Sequence, residues 1–141
     1  MARVLTIDHD EAFRRRLVEG VRQRGWEAEG CAGLGEALRL LETETWDVVL
    51  LTDSLPGGDM LTNLARVLRS GSAPEVVVLA EELDQDKAEQ AIRAGAWNYF
   101  GKPPSLHRLA VVIERIAAYR NTTPPTRTVA IKRGEIIGNA K

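Results

Sequence analysis

The chain has 141 residues, 44% of them hydrophobic and 28% charged, and its 19 Lys and Arg against 20 Asp and Glu leave a formal net charge of -1. That mixture suits one globular domain and excludes a nucleic-acid module or a membrane-surface binder that works by bulk positive charge, so neither direct nucleic-acid contact nor membrane contact is expected. A single cysteine, Cys31, excludes an internal disulfide framework and a cysteine-cluster metal site, and the opening MARVLTIDHDE has no apolar signal-peptide core, so a cytoplasmic location is expected.

Arg3 to Ile7 is a short β-branched run that predicts a buried strand. Phe13, Leu17 and Val21 then recur at helical spacing, with Asp10 placed to cap the helix and Gly25 to end it. Trp26 to Cys31 alternates weakly and predicts a second strand; Leu34 to Thr43 predicts a second helix. Asp47 to Thr52 (DVVLLT) is the clearest buried strand, and the loop SLPGGD after it is rich in turn formers. Met60 to Ser70 predicts a third helix that Asp59 can cap, Glu75 to Ala80 a fourth strand, Asp84 to Ala94 a fourth helix, and Trp97 to Phe100 a fifth strand. Beyond Lys102-Pro103-Pro104, the stripe Leu106, Leu109, Ala110, Ile113, Ile116, Ala117 predicts a long helix ending near Arg120.

Strands that are apolar throughout and alternate with helices require a parallel sheet covered on both faces. The expected architecture is α/β, a doubly wound five-stranded parallel sheet with five helices, over residues 1–120. Residues 121–141 change character at Pro124-Pro125 and read as a linker or tail.

Ligands of open α/β sheets bind at the carboxyl ends of the strands, which here carry Asp8-His9-Asp10, Thr52-Asp53, Ala80-Glu81 and Lys102. The acidic turn after the first strand would repel a phosphate, so a dinucleotide site is excluded. In the stretch Gly95 to Lys102, Pro103 stands where a P-loop needs Ser or Thr to bind magnesium. Two histidines, His9 and His107, and no nucleophile elbow give no basis for a hydrolase triad, and no enzyme activity is expected.

Four segments, IDHDEAFR, WDVVLLTDSLPGGDML, VVVLAEELD and AGAWNYFGKPPSL, together resemble the receiver domains of two-component response regulators. The resemblance implies a CheY-like, flavodoxin-like fold. It also implies an aspartate phosphoacceptor at the tip of the third strand, a magnesium ion held by acids after the first, and a hydroxyl ending the fourth. A Lys-Pro pair completes the phosphate site, and an aromatic residue three before its Lys reports the state. The sequence departs from that pattern. Counting four back from Pro56, or five on from Asp47, puts Thr52 at the phosphoacceptor position, with Asp53 next to it as the second reading. Asp8 matches the first acid; His9 stands where a second acid is expected; Ala80 stands in place of the hydroxyl; Lys102, Pro103 and Tyr99 match. The Lys102-Pro103 bond is expected to be cis, as the family implies.

A threonine hydroxyl needs an activating base to act as a nucleophile, whereas a carboxylate does not. Magnesium prefers hard oxygen ligands, so no metal is expected; Asp8, Asp10 and Asp53 are the ligands if there is one, and magnesium enters only if Asp53 is the phosphoacceptor. Replacing two acids also relieves repulsion, which for charges about 4 Å apart is on the order of 4 kcal/mol at an effective dielectric near 20. Lys102, with protonated His9, is therefore expected to pair with Asp8 and Asp10. His9 reads either as a solvated loop residue or as a pH sensor or metal ligand. Trp97 and Tyr99 form a partner surface with helix 84–94 or cover the sheet edge. Arg14-Arg15-Arg16 reads as a solvated face. Val112 and Tyr119, on a second face of the last helix with Arg108 and Arg115, are a candidate dimer seam. In the tail, IKRGEIIGNAK resembles the junction into the ATPase domain of NtrC-type, sigma-54-dependent activators. The functional expectation is a pseudo-receiver that controls transcription through attached domains by protein contacts or homodimerisation. The alternative is a phosphorylation-competent receiver using Asp53, fed by a histidine kinase.

Overall fold

The computed structural model describes residues 2–122. Ten elements alternate along the chain: β1 (Arg3–Ile7), α1 (Glu11–Gln23), β2 (Glu27–Cys31), α2 (Leu34–Thr43), β3 (Val48–Thr52), α3 (Met60–Leu68), β4 (Glu75–Ala80), α4 (Gln85–Arg93), β5 (Asn98–Gly101) and α5 (Leu106–Thr122). The strands form one parallel sheet in the order β2-β1-β3-β4-β5. The expected doubly wound architecture is therefore the observed one.

Side-chain alternation divides the core. Leu5, Ile7, Val49, Leu51, Val76 and Val78 pack on the face that takes Ala37 and Leu41 of α2, Leu64 and Val67 of α3, and Ala91 of α4. Val4, Val48, Leu50, Val77 and Leu79 pack on the other, against Leu17 and Val21 of α1 and Leu109, Ile113 and Ile116 of α5. Both faces of β3 and β4 are buried, which is why the runs VVLL of β3 and VVVLA of β4 are apolar without a break, with polar Thr52 and Glu75 only at the strand ends. Mid-helix Gly20 lets α5 approach α1, since a Cβ there would lie 2.9 Å from Leu106 Cδ1.

The caps at Asp10 and Asp59 match the sequence, and Asp84, expected as the first residue of the fourth helix, is its cap instead. Asp10 accepts from the Phe13 amide, Asp59 from that of Thr62 and Asp84 from that of Lys87, so each acid offsets unpaired amides and the positive pole of its helix. Gly25 closes α1 with φ +97, a conformation that disfavours any side chain. Boundaries move by one or two residues from those expected, and α5 runs to Thr122, so residues 121 and 122 belong to the helix and not to the linker. The rest of the tail, with its Pro124-Pro125 and IKRGEIIGNAK, lies outside the described residues. Val112 is a correction: it is 8% exposed and belongs to the core beneath α5, so it is not part of an open seam. Trp97 packs edge-on against Tyr119 of α5, with centroids 5.5 Å apart, and so covers the sheet edge instead of joining α4 in an open surface.

Candidate functional site

Strand tips and the loops after them converge at the carboxyl edge of the sheet. Asp8, just past β1, is 1% exposed. Its Oδ1 accepts from the Asp10 amide at 2.9 Å, and its own carbonyl accepts from Arg14 Nη1 at 2.8 Å. Lys102, just past β5, reaches across the cleft. Its Nζ donates to Asp8 Oδ2 at 2.7 Å and to Glu81 Oε2 at 2.8 Å, and stands 4.9 Å from the centroid of the Phe13 ring. The Lys102-Pro103 peptide is cis. The lysine side chain is 9% exposed, whereas that of Glu81 is 53% exposed.

The electrostatics rest on these contacts. Burial alone would pull the Lys102 ammonium down, but the hydrogen bonds and charges of Asp8 and Glu81 together outweigh it and hold its pKa above the ordinary lysine value. The hydrogen bond from Lys102 holds the Glu81 carboxyl below its ordinary range, with Ser54 adding to the effect.

Thr52, the last residue of β3, is 1% exposed. Its Oγ1 lies 3.2 Å from Ser54 Oγ, which in turn donates to Glu81 Oε2 at 3.1 Å. With the Ser54 proton directed at the carboxylate, Thr52 is the donor of the pair. Asp53 turns elsewhere: its Oδ1 accepts from the Glu81 amide at 3.2 Å, and its charge raises the pKa of Tyr99, already raised mainly by burial. Strand alternation gives the reason. Val49 and Leu51 face the α2–α3–α4 side with Tyr99, so Asp53 continues that face and Thr52 the opposite one.

One expectation is corrected here. Lys102 pairs with Asp8 as expected, but its second partner is Glu81 and not Asp10, whose carboxylate is used to cap α1. His9 is exposed, with Nδ1 3.7 Å from Asp8 Oδ1, at the outer limit of an ion pair that exists only when the imidazole is protonated. Glu81 was visible in sequence as a strand-tip acid, yet nothing there indicated that it turns inward, and the Ser54 bridge carried no signal at all. Ala80 ends β4 fully buried and offers no side-chain donor. Among the described residues, no group of three His, Cys, Asp or Glu side chains is arranged to hold a metal ion.

Comparison with known proteins decides the family. Residues 4–114 match the response regulator receiver domain. The chain belongs to that family. It is 33% identical over 123 residues to the transcriptional regulatory protein PdtaR of Mycobacterium tuberculosis, covering 86% of this chain and 60% of that protein. It is 26% identical over 140 residues to the DNA-binding transcriptional regulator NtrC of Proteus hauseri, covering 97% of this chain but 30% of the relative. The chain thus spans less than two thirds of the length of these curated relatives. Among solved structures, a receiver domain from Clostridium thermocellum superposes with a TM-score of 0.79 at 22% identity over 86% of this chain and 98% of that one, a likeness of fold. The beryllofluoride-activated NtrC4 receiver domain dimer gives 0.76 at 25% identity over 82% of this chain and 96% of that one. No helix among the described residues is long and apolar enough to cross a membrane.

Proposed function

We propose that this receiver is a signalling module in two-component transcriptional control whose cleft is closed by a protein cation in place of metal and phosphate chemistry. The observation that carries the reading is Lys102 Nζ, 2.7 Å from Asp8 and 2.8 Å from Glu81. An ammonium group there neutralises the one buried acid of the cleft. The donor set does not suit magnesium. Both Asp8 oxygens are engaged, Asp10 caps a helix, Asp53 takes the Glu81 amide, and β3 contributes a hydroxyl where a third carboxylate would be needed. Nor has Thr52 an activating base. Its proton is directed at Ser54, and the carboxylate beyond Ser54 is already neutralised by Lys102.

In this reading the module acts by contacts with other proteins, including a second copy of itself and an upstream histidine kinase or equivalent signalling partner. The relatives being transcriptional regulators supports control of transcription through further domains, and the tail's likeness to NtrC-type activators supports the sigma-54 class. The test is incubation of the full chain with acetyl phosphate and magnesium, read by intact mass. No phosphoryl adduct is expected. A stoichiometric adduct that disappears in Asp53→Ala would replace this reading with a working receiver that uses Asp53.

A further inference from the structure

The pole of the sheet opposite the cleft carries a second, part-buried ionic hub, which no sequence motif announced. Asp47, just before β3, sits where the amino ends of three strands meet: its amide donates to the Arg3 carbonyl, and its own carbonyl accepts from the Glu75 amide. Its carboxylate has two partners. Oδ2 accepts from the Arg3 amide at 2.9 Å, and Oδ1 accepts from Arg120 Nε at 3.0 Å. The remaining nitrogens of Arg120 also have acceptors, with Nη1 donating to the Ala73 carbonyl at 2.8 Å and Nη2 to that of Ser72 at 3.2 Å. The Arg120 side chain is 7% exposed.

The receiving loop is itself fixed. Ser72 Oγ lies 2.8 Å from the Leu41 carbonyl and 2.7 Å from the Glu44 carbonyl, which share its one proton, and it accepts from the Trp46 amide, while Ala73 holds a left-handed φ of +46 that turns the chain there. A planar guanidinium with three acceptors in a fixed fork is a directional fastener, where an exposed ion pair would be a weak and mobile one. It acts on the last turn of α5, the point at which the chain leaves the receiver toward residue 141.

We propose that Arg120 is the positioning residue for the chain's exit from the receiver, fastening the last turn of α5 to the amino rim of the sheet so that the helix ends at a fixed point and in a fixed direction. The Tyr119 ring against Trp97 seats the same turn beside β5. With Lys102 tied to Asp8 just ahead of α5, the helix is held at both poles and acts as a strut. This holds whether or not the cleft accepts a phosphoryl group, so failure of the fastener and failure of the metal-free signalling mode are independent.

The experiment uses the full chain with Arg120→Met, Arg120→Lys and, as a control on the exposed face of the same helix, Arg115→Met. Amide exchange is measured along α5. In Arg120→Met, amides of residues 118–122 are expected to exchange about tenfold faster, while those of residues 108–114 and of β3 are unchanged, because one charged hydrogen-bond set is lost locally. Arg120→Lys, which keeps the charge but not the fork, is expected to fall between, and Arg115→Met to match the wild type. A spin-label pair at Thr122→Cys and Arg69→Cys in a Cys31→Ala background should give a narrow distance distribution that broadens with Arg120→Met. Unchanged exchange and distances would overturn the proposal. So would acceleration spread evenly over the whole domain, which would make Arg120 a contributor to global stability alone. Should Arg120→Met not fold, Arg120→Lys carries the same comparison.

Discussion

Asp8 is a carboxylate with 1% exposure at the rim of an apolar sheet, and the ammonium facing it is Lys102. Breaking a buried pair from one side costs more than the pair is worth, because the remaining charge loses its partner without regaining water. Lys102→Met is therefore expected to lower unfolding stability by about 3 kcal/mol, read from urea midpoints. Glu81→Gln should cost under about 1 kcal/mol, since water already solvates most of that side chain. The two variants distinguish a clamp centred on Asp8 from one centred on Glu81; equal losses would show the exposed arm to be as important as the buried one. The pH dependence has a definite sign. The Lys102 hydrogen bond depresses Glu81 below its ordinary 4.5. Its contribution is therefore present above that value and is lost as the pH falls through the folded-state pKa. The stability gap between wild type and Glu81→Gln should accordingly be level through the neutral range and close on acidification below 4.5. Lys102, raised in the folded state, contributes below its ordinary 10.5 and loses that contribution only at higher pH.

At the scale of the element, what the sequence disclosed and what it withheld have separate physical causes. Strand β3 was legible because burial on both faces demands the apolar run VVLL, and α1 and α3 were legible because an acidic cap precedes each, whereas the cap of α4, Asp84, was read as part of the helix. Alternation also accounts for the different partners of the Thr52 and Asp53 side chains. Pairings between elements were not legible, since a salt bridge across 94 positions, such as Lys102 to Asp8, or across 73, such as Arg120 to Asp47, leaves no local pattern. Lys102 could be aimed at the acidic turn because the resemblance supplied the direction; Arg120 had no such guide and reads in sequence as one more polar residue at the end of a helix. Cys31 shows how an element sets reactivity. It closes β2 with 3% exposure, and burial pushes its thiol up to about 12. The native chain should resist alkylation by iodoacetamide near pH 8 and react fully once unfolded in urea, as counted by intact mass; rapid labelling of the folded chain would mean that the β2 edge opens readily.

For the whole molecule, the sheet order leaves β2 and β5 as edges, and the two edges differ in what lies beside them. Next to β5, Leu83 is 72% exposed and Ile92 of α4 47% exposed, while Val112, once a seam candidate, is inside. Apolar side chains left this open on one edge gain most from a second copy, and a two-fold axis would place each twice in the contact. The proposed homodimer should therefore be held along α4 and β5, and not along the outer face of α5. Covering a leucine or isoleucine is worth about 1.5–3 kcal/mol, so a single Leu83→Asp or Ile92→Asp should weaken the dimer by at least about tenfold in sedimentation equilibrium. Arg115→Glu, on the exposed face of α5, is the control and should leave the dissociation constant unchanged. The opposite result, with Arg115→Glu dissociating the dimer and Leu83→Asp neutral, would move the contact to α5. A chain that stays monomeric at every concentration tested would remove self-association from the proposed function and leave other proteins as its partners.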